Sequence, residues 1–163
     1  MFKIEDTALQ IRRFKNTDSL ELADVIAKTL RTTNTREYSP EYIEETITSL
    51  SCEKLIERSA WMHLYVACDC DRIIGCGAIG PYYGKEDESS LFTIFVLPEY
   101  QGKGVGRKIV ETLEQDPYFL RARRIEIPAS VTAIEFYKKM GYSYKNGVYA
   151  IDEEQLCKME KFR

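Results

Sequence analysis

Only one histidine, His63, and one tryptophan, Trp61, occur among the 163 residues, and no CxxC pair is present. A structural zinc needs three or four nitrogen or sulfur ligands, so this scarcity argues against a metal site and against a histidine-centred triad. The five cysteines, Cys52, Cys68, Cys70, Cys76 and Cys157, are odd in number and read as reduced thiols packed as small hydrophobes. Cys68-Asp69-Cys70 alternates along an expected strand, which would put both sulfurs on one face. No apolar run reaches the length of a membrane span, and the leading Met-Phe-Lys-Ile-Glu-Asp lacks the apolar stretch of a secretory signal. The expectation is a cytoplasmic protein with no membrane partner. No repeat, low-complexity segment or Gly/Ser/Pro linker divides the chain, so residues 1–163 read as one domain. Charge of neither sign dominates: 23 Lys and Arg against 26 Asp and Glu leave a net −3, without the basic excess that phosphate-backbone binding requires. No nucleic-acid partner is expected.

What is present is ordinary globular material, 44% hydrophobic and 30% charged. A chain of this length buries ~70% of its unfolded surface, enough for a core without staples. Residues 8–14 alternate as a half-buried strand does. Asp18, with Glu21 three residues on, marks a helix start, and Leu22, Val25, Ile26 and Leu30 follow at helical spacing. Ser39-Pro40 opens a second helix carrying Ile43, Ile47 and Leu50. Residues 63–69 and 72–80 form two strands of a hairpin, and residues 80–90 read as a polar loop. Residues 91–97 (LFTIFVL) are apolar on both faces apart from Thr93, the pattern of a strand covered on both sides. Val105, Ile109 and Leu113 mark a third helix and residues 123–127 a buried strand. Ser130 reads as the cap of a fourth helix, with Ala133, Phe136, Tyr137 and Met140 on its apolar face and Gly141 just past its end. Late strands are expected at 142–145 and 156–162. Seven strands and four helices in this order make a mixed α/β (α+β) sheet with helices on both faces.

The segment from Phe95 to Arg107 is the most informative. A strand runs into Gln101-Gly102-Lys103-Gly104-Val105-Gly106, with glycines at alternate positions, and a helix begins at once. Such a turn aims several backbone N–H groups into one concavity beside the positive end of a helix dipole. The expected ligand is therefore a phosphorylated cofactor. It is not a dinucleotide of the GxGxxG type, because the last position of that pattern falls on Arg107. Nor is it a P-loop ligand: Lys103 is followed by Gly104 rather than by a Ser or Thr that would hold magnesium.

Gln101-Gly102-Lys103-Gly104-Val105-Gly106 resembles the Q/R-x-x-G-x-G/A signature of the GNAT family of N-acetyltransferases. Ser130, Ala133, Phe136, Tyr137, Gly141 and Tyr142 are similar to that family's later N-x-x-A-x-x-F-Y-x-x-x-G-F/Y stretch, and residues 157–161 to its last strand. The resemblance implies the acyl-coenzyme A N-acyltransferase fold, a mostly antiparallel central sheet of about seven strands flanked by about four helices. It implies an acetyltransferase that uses acetyl-coenzyme A as co-substrate, with no metal. The glycine loop, with Lys103 and Arg107, would grip the pyrophosphate. The backbone of Phe95 and Val96 would pair with the pantetheine, and the Val96 N–H would polarise the thioester oxygen. Tyr137 falls at the family's general-acid position. Ser130, where relatives often carry Asn, is either a cofactor contact or only a helix cap.

The acceptor implied is a primary amine of a small molecule or a peptide. Tyr82, Tyr83 and Glu88 are candidates to line its pocket. Many relatives place a base on the strand at 91–97, which here holds no ionisable group; Glu86, Asp87 and Glu88 just before it are either a water-mediated route or a solvated loop. The missing carboxylate keeps a second reading open, a non-catalytic acyl-coenzyme A sensor on the same fold. A homodimer is compatible with the family.

Overall fold

A computed structural model describes residues 8–163, and the expectation about the leading six residues lies outside them. The strands are β1 (Leu9–Arg13), β2 (His63–Asp69), β3 (Arg72–Pro81), β4 (Glu88–Val96), β5 (Arg124–Ser130), β6 (Ser143–Tyr144) and β7 (Leu156–Phe162). The α-helices are α1 (Ser19–Thr33), α2 (Pro40–Ser49), α3 (Cys52–Ser59), α4 (Val105–Leu113), α5 (Pro117–Leu120) and α6 (Ile134–Lys139). The strands form one mixed sheet in the order β1-β2-β3-β4-β5-β7-β6. β1 and β2, β5 and β7, and β6 and β7 pair antiparallel, whereas β4 and β5 pair parallel. The expected fold class is the observed one.

Three local differences have physical reasons. Helix α3 was not foreseen: Leu55 is its one buried residue, too few for periodicity to register, and the Ser51 hydroxyl caps it by accepting from Lys54 N–H (3.4 Å). The single turn α5 is capped in the same way by Asp116, which accepts from Tyr118 N–H (2.8 Å). Strand β4 begins at Glu88 inside the segment read as a polar loop, because Glu88, Ser89 and Ser90 pair with Arg124, Ile125 and Glu126.

Two expectations about single residues are corrected. Asp18 precedes α1 but does not cap it; its carboxylate accepts two bonds from Arg12 (2.8 and 2.9 Å) and one from Lys15 N–H (2.8 Å). A bidentate guanidinium is the stronger partner. Cys68 is buried in β2, but Cys70 sits exposed in the two-residue turn to β3 at φ 53°, so the two sulfurs part company.

The chain divides into two compact units. The first holds the described residues up to Ala78 together with Thr93–Thr112. Leu22, Ile26 and Leu30 of α1, Leu55 of α3, Ile73 and Ile74 of β3 and Ile109 of α4 are buried in it. The second holds Ile79–Phe92 and Leu113–Arg163. Its buried apolar residues include Ile125, Ile127 and Ala129 of β5, Cys157 and Met159 of β7, and Ile134 and Tyr137 of α6. α6 ends as expected at Gly141, with Tyr142 N–H donating to Tyr137 O (3.0 Å) and Gly141 N–H to Lys138 O (3.0 Å).

Candidate functional site

In the first unit the residues leading into the glycine loop are held from several sides. Leu97 N–H donates to Ile74 O of β3 (2.8 Å), and Leu97 is buried. A 3-10 turn at Pro98–Tyr100 follows. The Tyr100 ring is buried and its hydroxyl donates to Asp69 Oδ2 (2.7 Å), while Glu99 pairs with Arg72 (2.9 Å). The Gln101 amide Nε2 donates to Val96 O (2.9 Å) and to Thr33 Oγ1 at the end of α1 (3.1 Å). Gln101 is thus a brace between loop, strand and helix, which its place in a short motif did not disclose.

The loop itself is open. Gln101, Gly102, Lys103 and Gly104 are exposed, and Val105 is buried where α4 begins. Gly102 and Gly104 have φ of 72° and 83°, left-handed values that disfavour any side chain. A Cβ added at either would meet no protein atom within 4 Å. The glycines are therefore needed for backbone conformation and leave clear space beside the N-terminal turn of a nine-residue helix, a setting suited to an anion. Gly106 lies inside the first turn of α4, and Arg107 there is 70% exposed, paired with Glu111 (2.9 Å).

Strand β4 is less covered than its apolar sequence predicts. Leu91 and Leu97 are buried, but Phe92, Thr93, Ile94, Phe95 and Val96 are each half-buried. This corrects the reading of a strand covered on both sides. Among the described residues the parallel ladder with β5 covers Glu88–Ser90. Thr93 has φ 55°, unusual for a β-branched residue inside a strand. Half-buried apolar side chains next to an irregular backbone are what a binding strand offers and a purely structural one avoids.

In the second unit Tyr137 is 5% exposed on α6, its ring edge-to-face with Phe136 (5.0 Å) and Tyr142 (6.2 Å). Burial pushes its phenol above the ordinary tyrosine value, so it is protonated throughout the neutral range. Ser130 ends β5, half-buried and paired with Leu156. Its hydroxyl makes no cap bond; a 3-10 turn at Val131–Ala133 intervenes before α6, which corrects the helix-cap reading.

Two of the three acceptor candidates, Tyr82 and Glu88, belong to an ionic cluster of the same unit, centred on the buried Arg124. Arg124 donates to Glu160 (2.9 Å), Glu88 (3.1 Å) and Glu126 (2.7 Å). Lys85 pairs with Glu88 (2.9 Å) and Lys145 with Glu126 (2.8 Å). The Tyr82 ring lies 5.2 Å from the Arg124 guanidinium, and its hydroxyl accepts from Lys145 Nζ (3.3 Å). Hydrogen bonding to Lys85 first, then to Arg124, holds the Glu88 carboxyl below its usual range despite burial. Glu88 is therefore ionised and a weak base, while Glu86 and Asp87 are exposed. Tyr83 is 89% exposed at φ 45°. Phe95, Val96 and Gln101–Arg107 thus belong to the first unit, and Ser130, Tyr137, Tyr82, Tyr83 and Glu88 to the second. Among the described residues no three His, Cys, Asp or Glu side chains cluster to hold a metal, and no helix is long and apolar enough to cross a membrane.

Comparison with known proteins adds three findings. The profile of the acetyltransferase (GNAT) domain matches residues 60–144. An uncharacterized N-acetyltransferase of Methanocaldococcus jannaschii is 30% identical over 87 residues, 52% of this chain and 35% of that protein, so the chain spans about a third of the length of the curated relative it matches. Among solved structures, the PaiA N-acetyltransferase of Thermoplasma acidophilum in complex with coenzyme A superposes with a TM-score of 0.79 at 21% identity, covering 95% of this chain and 99% of that one. An acetyltransferase of Thermus thermophilus gives 0.72 at 14% identity, covering 99% and 100%. At such identities the structural likeness is one of fold.

Proposed function

Because the chain belongs to the GNAT acetyltransferases, we propose that it moves an acetyl group from acetyl-coenzyme A to a primary amine of a small molecule or a peptide. Residues 1–163 are read as one such domain. The observation that carries the reading is the open, left-handed glycine loop between a half-exposed apolar strand and the start of α4. It fits a diphosphate followed by an extended, mostly apolar arm.

In this reading the backbone from Gly102 to Gly106 binds the pyrophosphate, with Lys103 and Arg107 adding charge. The backbone of Phe95 and Val96 pairs with the pantetheine. The Val96 N–H donates to the thioester oxygen, a contribution of ~3 kcal/mol when such a donor is well aimed. The amine nitrogen forms its bond to the acetyl carbon as the carbon–sulfur bond breaks. The Tyr137 phenol donates its proton to the departing sulfur, and the proton lost by the amine leaves to solvent. Ser130 is a secondary cofactor contact. For the acceptor, Tyr83 is the freer aromatic; Tyr82 and Glu88 belong first to the Arg124 cluster and reach an acceptor only from within it.

The deciding experiment is a calorimetric titration with acetyl-coenzyme A beside Gly104→Glu. The substitution places a carboxylate in the clear space at the loop, so binding should be lost while the fold persists. Equal affinity in both proteins would remove the loop from the reading. The sensor alternative is separated by turnover: an enzyme releases thiol with some member of an amine panel, whereas a sensor binds the cofactor and releases none.

A further inference from the structure

Three consecutive residues of β3 meet the irregular part of β4. Ile74 O accepts from Leu97 N–H (2.8 Å). A Cβ on Gly75 would lie 2.7 Å from Phe95 O and 3.5 Å from Val96 Cα, so only glycine lets the two backbones come this close. Cys76 is fully buried, and its Sγ lies 3.1 Å from Thr93 O, within reach of an S–H···O bond. Thr93 is the residue held at φ 55°. A β-branched residue keeps such a conformation only where its surroundings over-determine it.

We propose that Gly75 and Cys76 are positioning residues for the acetyl-donor strand: the glycine admits the Phe95 carbonyl, and the thiol donates to the Thr93 carbonyl, together setting the backbone of Thr93–Val96. The inference rests on the acetyltransferase reading for its consequence, since that backbone is what would pair with the pantetheine. Neither residue touches the substrate; both act through β4. Burial pushes the Cys76 thiol up to about 12, so the sulfur keeps its proton and serves as a donor rather than a nucleophile.

The test compares Cys76→Ala with Cys76→Ser in the full chain. Amide hydrogen exchange at 93–96 is measured without ligand, and acetyl-coenzyme A affinity by calorimetry. Cys76→Ala loses the donor, so exchange at 93–96 should rise and affinity fall by about threefold each, the scale of one weak hydrogen bond. Exchange along β5 and β7 should be unchanged. Cys76→Ser keeps a donor and should restore both readings to within about twofold. If Cys76→Ala leaves 93–96 unaltered, or if Cys76→Ser is as impaired as Cys76→Ala, the positioning role is overturned. Should the wild-type chain fail to bind acetyl-coenzyme A, the acetyltransferase reading falls. The exchange comparison then still decides whether the thiol sets the strand.

Discussion

Arg124 offers the sharpest quantitative test of the fold. Its side chain is 10% exposed and faces three carboxylates, Glu88, Glu126 and Glu160, that are each less than a tenth exposed. With Lys85 and Lys145 the cluster holds three positive and three negative charges. Arg124→Met removes the central cation. Lys85 still serves Glu88 and Lys145 still serves Glu126, but Glu160 is left with the Asn146 N–H (3.0 Å). Removing one partner of a buried ionic group costs about 3–5 kcal/mol. At roughly 2–4 °C per kcal/mol for a chain of this size, Tm should fall by about 6–20 °C. Glu160→Gln in the Arg124→Met background restores neutrality and should recover a substantial part of the loss. The deficit should also depend on pH. The folded-state Glu88 carboxyl is depressed by Lys85 and Arg124, so its stabilisation is present above the ordinary carboxylate range and lost as pH falls. Without Arg124 that depression is smaller, so the gap between the two proteins is full at pH 7 and narrows below about pH 4. Thermal melts at pH 8 and about pH 3 measure it. A gap that is equal at both pH values, or a double variant no more stable than Arg124→Met, would refute the reasoning.

Further expectations follow from the site. Tyr137→Phe should lower kcat by about a hundredfold or more while acetyl-coenzyme A affinity stays within about twofold, because a proton donor acts in the transition state and not in binding. Burial raises the Tyr137 phenol, so the folded state is favoured by this group below about pH 10 and the advantage is lost above it. An alkaline limb below pH ~9 in the kcat profile that vanishes in Tyr137→Phe would contradict that direction. Gly75→Ala places a methyl 2.7 Å from the Phe95 carbonyl and should destabilise by about 1–3 kcal/mol, the usual cost of overpacking. An unchanged Tm in a melt would show that β3 and β4 are free to separate there.

Much of the site was legible because its signals are local. Glycines at 102 and 104 after an apolar strand announced an open turn at a helix start; their positive φ is added by the structure. Tyr137 was read from a spaced motif, and its burial follows from the apolar face of α6. Gly75, Cys76 and Thr93 were not legible as a group. Each is unremarkable in its own strand, and only pairing β3 beside β4 puts the Cys76 thiol on the Thr93 carbonyl. Glu88 reads as loop in the sequence because Glu-Ser-Ser carries no strand signal until Arg124, thirty-six residues on, supplies its partner.

The sequence by itself determined the succession of strands, four of the six α-helices, the hairpin at Cys70-Asp71, the glycine loop and the family, since periodicity, turn chemistry and short motifs act over a few residues. Only the tertiary structure decided that Arg124 gathers three glutamates and that Gln101 clamps Val96 to Thr33. It also decided that an apolar strand stays half-exposed from Phe92 to Val96. Those outcomes depend on which distant segments meet, and burial and long-range pairing, unlike helix or strand period, leave no mark on neighbouring residues.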